Sequence, residues 1–431
     1  MIVLSTTLFC VFYVTGLSTS CLANEKSHPL KIRVGGSVRL RFEELDNFNI
    51  KKFGSGTHDG FLLWRTRIDS QFSKGKDHLY LQIQDNRFTN SDFSVDDFPD
   101  KCPYQNFLDL RQAYFERKSS AENSWELRLG RQAICYRDNR IFGPGDWGNT
   151  GRYTWDGLKI QKKTCQKSVD FLVAKRILYD PRYFDNEHYD FTTLACYVQD
   201  ERNEGASDLF WLYKNDENDI RGENGIGPER RHTLGFYKTI EKQYWNFEST
   251  FTFQIGEHGA DSVKAHGMHI GVKFKPSSIK NLTLGIDYAM ASGDSSPADG
   301  KVETFDGVFG AVDKYYGRMN LVSWMNIENW QFTLSTKLRK TMHFSASAHW
   351  FHLNEEKDCW YYRTGKPVAG DPLGLSGDYI GREIDLILKW QITSELELLA
   401  GKCHFSAGTF AKNMGSYESA GWSFIQLTSR F

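Results

Sequence analysis

The stretch LGRQAICYRDNRIFGPGDWGNTGRYTWDGL, residues 129–158, indicates the fold more clearly than any other part of the chain. It leaves an alternating strand predicted over residues 125–132 and enters another strand at its end. Between the two, Gly143, Pro144 and Gly145 force sharp backbone turns. A Gly-rich hairpin with incidental charge is the simplest interpretation, but the stretch also carries arginines whose planar forks suit carboxylates. These arginines are Arg137, Arg140 and Arg152.

The stretch resembles the signature of the alginate export family. The resemblance rests on a strand ending in Gly-Arg-Gln (130–132), on FGPGDWGNTGR (142–152) and on Trp-Asp-Gly (155–157). Further segments at 291–294, 304–306, 315–317 and 379–385 are similar to other parts of the same family. Such a resemblance implies an outer-membrane barrel that passes an anionic polysaccharide, and it thins between about residues 198 and 256.

Composition excludes several classes of protein. The 431 residues contain 53 Lys and Arg against 54 Asp and Glu, whereas a general nucleic-acid binder is strongly basic. Beyond the N-terminus there is no apolar run of about 18 residues, so helical membrane spans are excluded. Aromatic residues make up 15% of a polar chain, which is typical of a transmembrane β-barrel with aromatic girdles.

Apolar and polar residues alternate along most of the chain, which predicts strands. In residues 31–43, for example, Val38, Leu40 and Phe42 share one face while Arg39 and Arg41 share the other. A soluble sandwich would turn the polar face to bulk water, and a barrel would turn it to a lumen. The pattern predicts 18 strands, at residues 31–43, 61–72, 78–86, 107–117, 125–132, from 158, 169–176, 190–199, 208–214, 231–238, 246–255, 263–274, 282–290, 330–338, 341–352, 380–392, 396–405 and 423–431.

The fold prediction is therefore all-β, a single antiparallel transmembrane barrel of 18 strands. Residues 318–326 are interpreted as loop, because apolar and polar residues mix on one face there, and residues 215–231 as an exposed loop. A barrel of this size is expected to hold an aqueous lumen and not a packed core.

The two ends of the chain indicate export. Residues 1–23 are interpreted as a signal peptide that ends at Cys21-Leu22-Ala23, although the segment before its apolar run lacks Lys and Arg; lipid attachment at Cys21 is the alternative. Residues 24–431 would form the barrel domain. An alternating strand ends at Phe431, which resembles the C-terminal signal read by the barrel-insertion machinery. Because the envelope is oxidising, some cysteine pairing is expected.

The polar faces of the strands and the opening stretch supply candidate pore-lining residues. Rings of Arg or Lys select anions, and a narrow low-dielectric wall strengthens their field. Glu383 and Asp385 would hold some of the arginines or form a weak cation site. Each Arg–carboxylate pair could equally just brace the wall. The complete candidate set is Arg39, Arg41, Arg65, Arg67, Arg128, Arg131, Arg137, Arg140, Arg152, Asp156, Glu383 and Asp385.

The sequence indicates no enzyme, cofactor or metal site. It has no Gly-x-Ser-x-Gly elbow, and Glu383 and Asp385 lie two apart on a strand, a common lumenal pattern. His266 and His269 fall on opposite faces of one strand, while His343 and His349 are six residues apart.

Three functional hypotheses remain from the sequence. The first is an outer-membrane channel for an anionic polysaccharide such as alginate, or for a small anionic solute. The second is a general or differently selective porin, and the third is an adhesin or receptor barrel. The expected partners are the transported anion, outer-membrane lipid, the insertion machinery and periplasmic export components, with no role for nucleic acid.

Overall fold

A computed structural model describes residues 28–98, 102–119, 124–151, 153–184, 189–202, 204–296, 298–307, 309–310, 315–362, 365–415 and 418–431. The predicted signal peptide, 1–23, lies outside these residues. Within them, no helix is both long enough and apolar enough to cross a membrane.

The wall is a closed antiparallel barrel in which each strand pairs with its neighbour along the chain and the last strand pairs with the first, from Ser37↔Arg430 to Asp46↔Gly421. The predicted 18-stranded barrel is thereby confirmed. The wall strands are β1 Lys31–Phe48, β2 Phe53–Lys74, β3 Asp77–Thr89, β4 Asn106–Arg117, β5 Ser124–Gln132, β6 Trp155–Lys163, β7 Lys167–Ile177, β8 Tyr189–Arg202, β9 Gly205–Arg221, β10 Ile226–Glu241, β11 Trp245–His258, β12 Asp261–Phe274, β13 Leu282–Ala291, β15 Ile327–Arg339, β16 Met342–His352, β19 Tyr379–Gln391, β20 Leu396–Ala407 and β21 Ala420–Arg430. The shorter elements are β14 Lys301–Val302, β17 Cys359–Tyr361, β18 Pro367–Gly370, α1 Thr409–Asn413 and a 3-10 turn at Val95–Asp97.

The two faces of the wall meet different surroundings. On β1, Leu40 and Phe42 are 45% and 46% exposed, while Arg39 and Arg41 between them are 4% and 3% exposed. Exposed apolar side chains at alternate positions in strand after strand form the lipid-facing band of an outer-membrane barrel. The arginines consequently face inward, as the alternation predicts.

Connections between strands are short at one end of the barrel and long at the other. The turns at 75–76, 164–166 and 340–341 lie at one end, and the connections 133–154, 292–326 and 353–378 lie at the other. In bacterial barrels the long connections are extracellular and the short turns periplasmic. Exposed tryptophans mark the short-turn end of three strands, as an interfacial aromatic belt does. They are Trp125, Trp245 and Trp390.

Residues 215–231 correct one sequence prediction. They were expected to be an exposed loop, but β9 runs to Arg221 and β10 begins at Ile226, so only residues 222–225 connect them. Polar residues lie on both faces of these strand ends, which removes the alternation from the sequence. Residues 318–326 contain no strand, which confirms their prediction as loop.

The interior corrects a second expectation. Instead of an empty aqueous lumen, the extracellular half of the barrel contains a hydrophobic cluster built mainly by the long connections. Its fully buried members include Phe142, Phe305, Phe309, Trp324 and Trp360. A wide barrel leaves space that loops can fill with side chains of their own. Among the described cysteines, Cys102, Cys196, Cys359 and Cys403 form no disulfide bonds.

Candidate pore-lining site

The connection between β5 and β6, residues 133–154, folds into the barrel, and we call it the inserted loop. Asn149 anchors it, with a side chain that is 1% exposed. Its Nδ2 lies 3.2, 3.1 and 2.6 Å from the carbonyl oxygens of Trp64, Arg87 and Tyr104. The amide therefore holds the middle of the loop against β2, β3 and the connection that follows β3.

Two arginines of the inner wall bind the backbone of the inserted loop. Arg39 donates from Nη1 to the carbonyls of Asp146 and Trp147, at 3.2 and 3.1 Å, and from Nη2 to that of Gly148 at 3.1 Å. Arg65 donates from Nη1 to the carbonyls of Asp146 and Gly148, at 3.0 and 3.2 Å. Carbonyl dipoles satisfy these donors, but they do not neutralise the two positive charges.

The carboxylate of Asp146 meets two further arginines. Its Oδ1 lies 3.0 Å from Arg67 Nη1 and 3.6 Å from Arg111 Nη2. Burial alone would raise the pKa of this carboxyl, but Arg111, Arg67 and Arg65 lower the pKa below its usual range. The Asp146 side chain is 53% exposed and so faces the remaining lumen. We define the arginine wall as Arg39, Arg41, Arg65, Arg67 and Arg111.

Arg111 on β4 is the most deeply buried member of the arginine wall. Its guanidinium donates to Thr154 Oγ1 at 2.8 Å, to Tyr179 OH at 2.6 Å and to the carbonyl of Pro144 at 3.2 Å. The loop passes so close to it that a Cβ on Gly151 would lie 2.5 Å from the guanidinium carbon. Gly151 also has a φ of +81°, so both space and backbone conformation require glycine here.

Trp147 places the tip of the inserted loop over the junction of β1 and β21. The guanidinium carbon of Arg41 lies 4.3 Å from the centre of its ring, and Arg41 Nη1 donates to its carbonyl at 2.9 Å. On the neighbouring strand, the rings of Trp422 and Phe424 lie 5.9 and 5.2 Å from it, edge on. One side chain therefore contacts both the first and the last strand of the barrel.

The first part of the inserted loop is held by the opposite wall. Arg137 forms a bidentate pair with Asp208 on β9, with both N–O distances at 2.7 Å, and a second pair with Glu201 at 2.9 Å. Tyr136 donates its hydroxyl to Asp170 on β7 at 2.7 Å. The loop thus spans the lumen from β7 and β9 to β1 and β2.

The connection 292–326 enters the barrel as well and packs on the inserted loop. Phe309 forms a parallel bridge with Phe142, and their ring centres lie 5.0 Å apart. Phe309 also lies 4.8 Å from Trp155 on the wall. Arg140 donates to the hydroxyl of Tyr316 at 2.9 Å. The two loops therefore contact each other inside the barrel.

Below these loops a cavity of about 320 Å³ remains against β11, β12, β13, β15, β16 and β19. Its wall carries many hydroxyl groups and charges of both signs. The positive groups are Arg140, Lys273 and Arg318, and the negative groups are Asp138, Glu248, Asp287 and Asp385. This wet, mixed-charge surface differs from the arginine wall on the opposite strands.

Comparison with family profiles tests the family relationship that residues 129–158 indicate. The profile described as Alginate export matches residues 30–421. The chain belongs to the alginate export family. A search of curated proteins gave no match.

Solved structures similar to this alginate export barrel are outer-membrane porins. Acinetobacter baumannii OccAB4 is 10% identical with a TM-score of 0.62, over 93% of this chain and 98% of that one. Pseudomonas aeruginosa OpdK has a TM-score of 0.60 at 10% identity, with coverages of 93% and 98%. OpdQ from the same organism has a TM-score of 0.59 at 12% identity, with coverages of 93% and 97%. These likenesses show the fold, and the family match gives the barrel its outer-membrane location.

The predicted site residues fall into distinct surroundings in the family barrel. Arg39, Arg41, Arg65 and Arg67 meet at the inserted loop, together with Arg111. Two further arginines form wall pairs instead: Arg128 with Glu116, and Arg131 with Asp156 at 2.9 and 3.1 Å. Arg137 and Arg140 position the inserted loop, and Arg152 lies outside the described residues.

Glu383 and Asp385 do not hold the arginines as expected. Glu383 accepts the backbone N–H of Met319 at 2.8 Å, and Asp385 accepts that of Arg318 at 3.2 Å. Because they lie on β19, they anchor the connection 292–326 where it re-enters the wall. Hydrogen bonds to backbone N–H groups do not depend on the alternation of side chains, so the sequence pattern could not predict them.

Sequence reasoning missed Arg111. On β4, Gln112 pairs with Gln82 and Leu110 with Ile83, so Arg111 is the extra residue of a β-bulge. A bulge shifts the side-chain alternation by one, which hides an inward arginine from a period-two pattern.

Proposed function

We propose that this outer-membrane channel favours anionic solutes, including uronate polysaccharides, and that the arginine wall supplies the selectivity. One observation carries the proposal: the charge of the arginine wall greatly exceeds that of its partners. Among the described residues, the only carboxylates in ion pairs with its five arginines are Asp146 and Glu43.

Unused donors strengthen the argument. Arg39 Nε, Arg65 Nε and Arg67 Nη2 are buried without a hydrogen-bond partner in the described structure. Guanidinium groups held in a low-dielectric wall produce a stronger field than the same groups in water. Their excess charge favours a solute that brings carboxylates of its own.

Asp146 suggests how such a solute would pass. Its carboxylate is bound by Arg67 and Arg111 yet half-exposed to the lumen. A uronate carboxylate has the same chemistry and can exchange with it at these forks. Exchange with a resident carboxylate binds the solute without trapping it, as conduction requires.

A general porin is the second candidate, and the cavity below the loops favours it. There, four carboxylates face three basic side chains, which leaves no excess of positive charge. If this region controlled permeation, ion selectivity would be weak and insensitive to the arginine wall.

Reversal potentials across planar bilayers in asymmetric KCl test the choice. We expect wild-type anion preference, reduced several-fold in Arg65→Gln and Arg67→Gln and retained in Arg65→Lys, which keeps the charge but loses the fork. Arg230→Gln is the matched control, because Arg230 is exposed on the outer side of β10. Oligouronates should block the wild-type current. Cation preference, or anion preference unchanged in both Gln variants, would refute the proposal.

A further inference from the structure

Three side chains from separate elements meet at the lower edge of the inserted loop. Asp138 belongs to the loop, Glu248 to β11 and His269 to β12. One donor atom from each lies within 4.8 Å of the other two. Asp138 and Glu248 also line the cavity of about 320 Å³, so an aqueous ion has access to them.

His269 has one ring nitrogen that is hydrogen-bonded and one that is not. Its ring is 2% exposed, and Nε2 lies 3.0 Å from Asp287 Oδ1 on β13. Nδ1 is buried and has no hydrogen-bond partner in the described structure. A carboxylate that accepts a hydrogen bond from one ring nitrogen favours the tautomer with the proton on that nitrogen and a lone pair on the other, as in carboxylate–histidine–metal triads. A buried lone pair without a donor needs a partner.

The neighbouring charges suit a cation. Asp138 accepts the backbone N–H of Arg140 at 3.0 Å and its Nε at 3.1 Å, yet each carboxylate has about four acceptor positions. Asp138, Glu248 and Asp287 bring three negative charges, against which Arg140 and Lys273 are the basic groups on this part of the cavity. These described side chains therefore carry a local excess of negative charge.

We propose that Asp138, Glu248 and His269 bind a divalent transition-metal ion, with Asp287 orienting the imidazole. Imidazole nitrogen with carboxylate oxygen suits Zn²⁺ and its neighbours better than Ca²⁺ or Mg²⁺, which prefer oxygen alone. Ligands about 2.0–2.1 Å from Zn²⁺ lie roughly 3.3 Å apart in a tetrahedral site, so the cluster would contract by at most about 1.5 Å. The site departs from the sequence prediction of no metal.

The ion would tie the inserted loop to the wall. Of the three ligands, Asp138 alone lies in the inserted loop. The ion would therefore link this loop to β11 and β12, which are distant from it in the sequence. The loop already holds β1, β2, β7 and β9 through other residues. Metal binding would therefore add β11 and β12 to the strands that hold the loop.

The test uses the full-length barrel folded in detergent, with Zn²⁺ counted by mass spectrometry after desalting and Co²⁺ followed by visible absorption. The variants Glu248→Gln and Asp138→Asn should each retain one equivalent less than wild type and bind Co²⁺ at least tenfold more weakly. His349→Gln is the matched control: His349 is equally buried on the same cavity, with ring contacts to Asn329 and Asp385. Its stoichiometry should equal that of wild type.

Zn²⁺ that binds to surface histidines does not affect the difference in Zn²⁺ content between wild type and the variants. Exposed His266 and half-exposed His352 can bind Zn²⁺ in every sample and do not change the comparison. Equal stoichiometry and Co²⁺ spectra in wild type, Glu248→Gln and Asp138→Asn would overturn the proposal. Asp138→Asn lies in the loop and not in a wall strand, so it provides a result even where a wall variant fails to fold.

Discussion

Asn149→Ala tests whether the inserted loop is held by the contacts described. The substitution removes both side-chain N–H donors and the Oδ1 that accepts from Arg39 Nη2 at 3.1 Å. Each buried hydrogen bond lost costs about 0.5–1.5 kcal/mol, so the loop should lose about 2–4 kcal/mol of docking free energy. That loss shifts the equilibrium between docked and released loop by about 30- to 1,000-fold.

The assay is single-channel conductance together with limited trypsin digestion. A released loop leaves a wider interior, so Asn149→Ala should show frequent higher-conductance states, and Arg137 and Arg140 should become cleavable. Asn218→Ala is the control, because Asn218 is exposed and its side chain donates a hydrogen bond to Asp216. Conductance and cleavage identical to wild type would show that Asn149 does not hold the loop.

Two further predictions concern the loops. Gly151→Ala should destabilise the barrel by about 1–3 kcal/mol, because the backbone there has a positive φ and the added Cβ would meet Arg111. Gly148→Ala should not destabilise it, because the nearest atom would lie 3.6 Å from the added Cβ. The heat-modifiability of the two variants on gels compares their stabilities. Burial raises the pKa of Asp294 to about 6, above its unfolded value of about 3.9, so the protonated form is favoured by folding. Stability should therefore fall as pH rises from about 4 through 6, and thermal unfolding of Asp294→Asn should lack this dependence; an unchanged slope would contradict the assignment.

The barrel was predictable because its wall lies between two different solvents. Lipid on one face and a polar interior on the other impose a period of two on every strand that crosses the membrane. β9 and β10 extend through residues 215–231 without a sequence signal, because polar residues occupy both faces of these strand ends. The bulge at Arg111 defeats the same pattern for a local reason.

The candidate site was predictable in its residues but not in its pairings. The signature pointed to the inserted loop, and the alternation of the strands pointed to four members of the arginine wall. Contacts such as Phe142 with Phe309, or Asp138 with Glu248 and His269, join segments that are far apart in sequence. Nothing local encodes them, because a loop's partner inside a barrel depends on how all the strands close.

Trp147 links the inserted loop to the place where the barrel closes. The wall closes where β21 pairs with β1, and Trp147 contacts Arg41 on β1 and Trp422 and Phe424 on β21. Loop docking and the pairing of β1 with β21 are therefore expected to stabilise each other. The Trp147 indole packs across the pairing of β1 with β21 and should oppose the separation of these two strands. A variant that releases the loop should therefore also weaken the wall between β1 and β21.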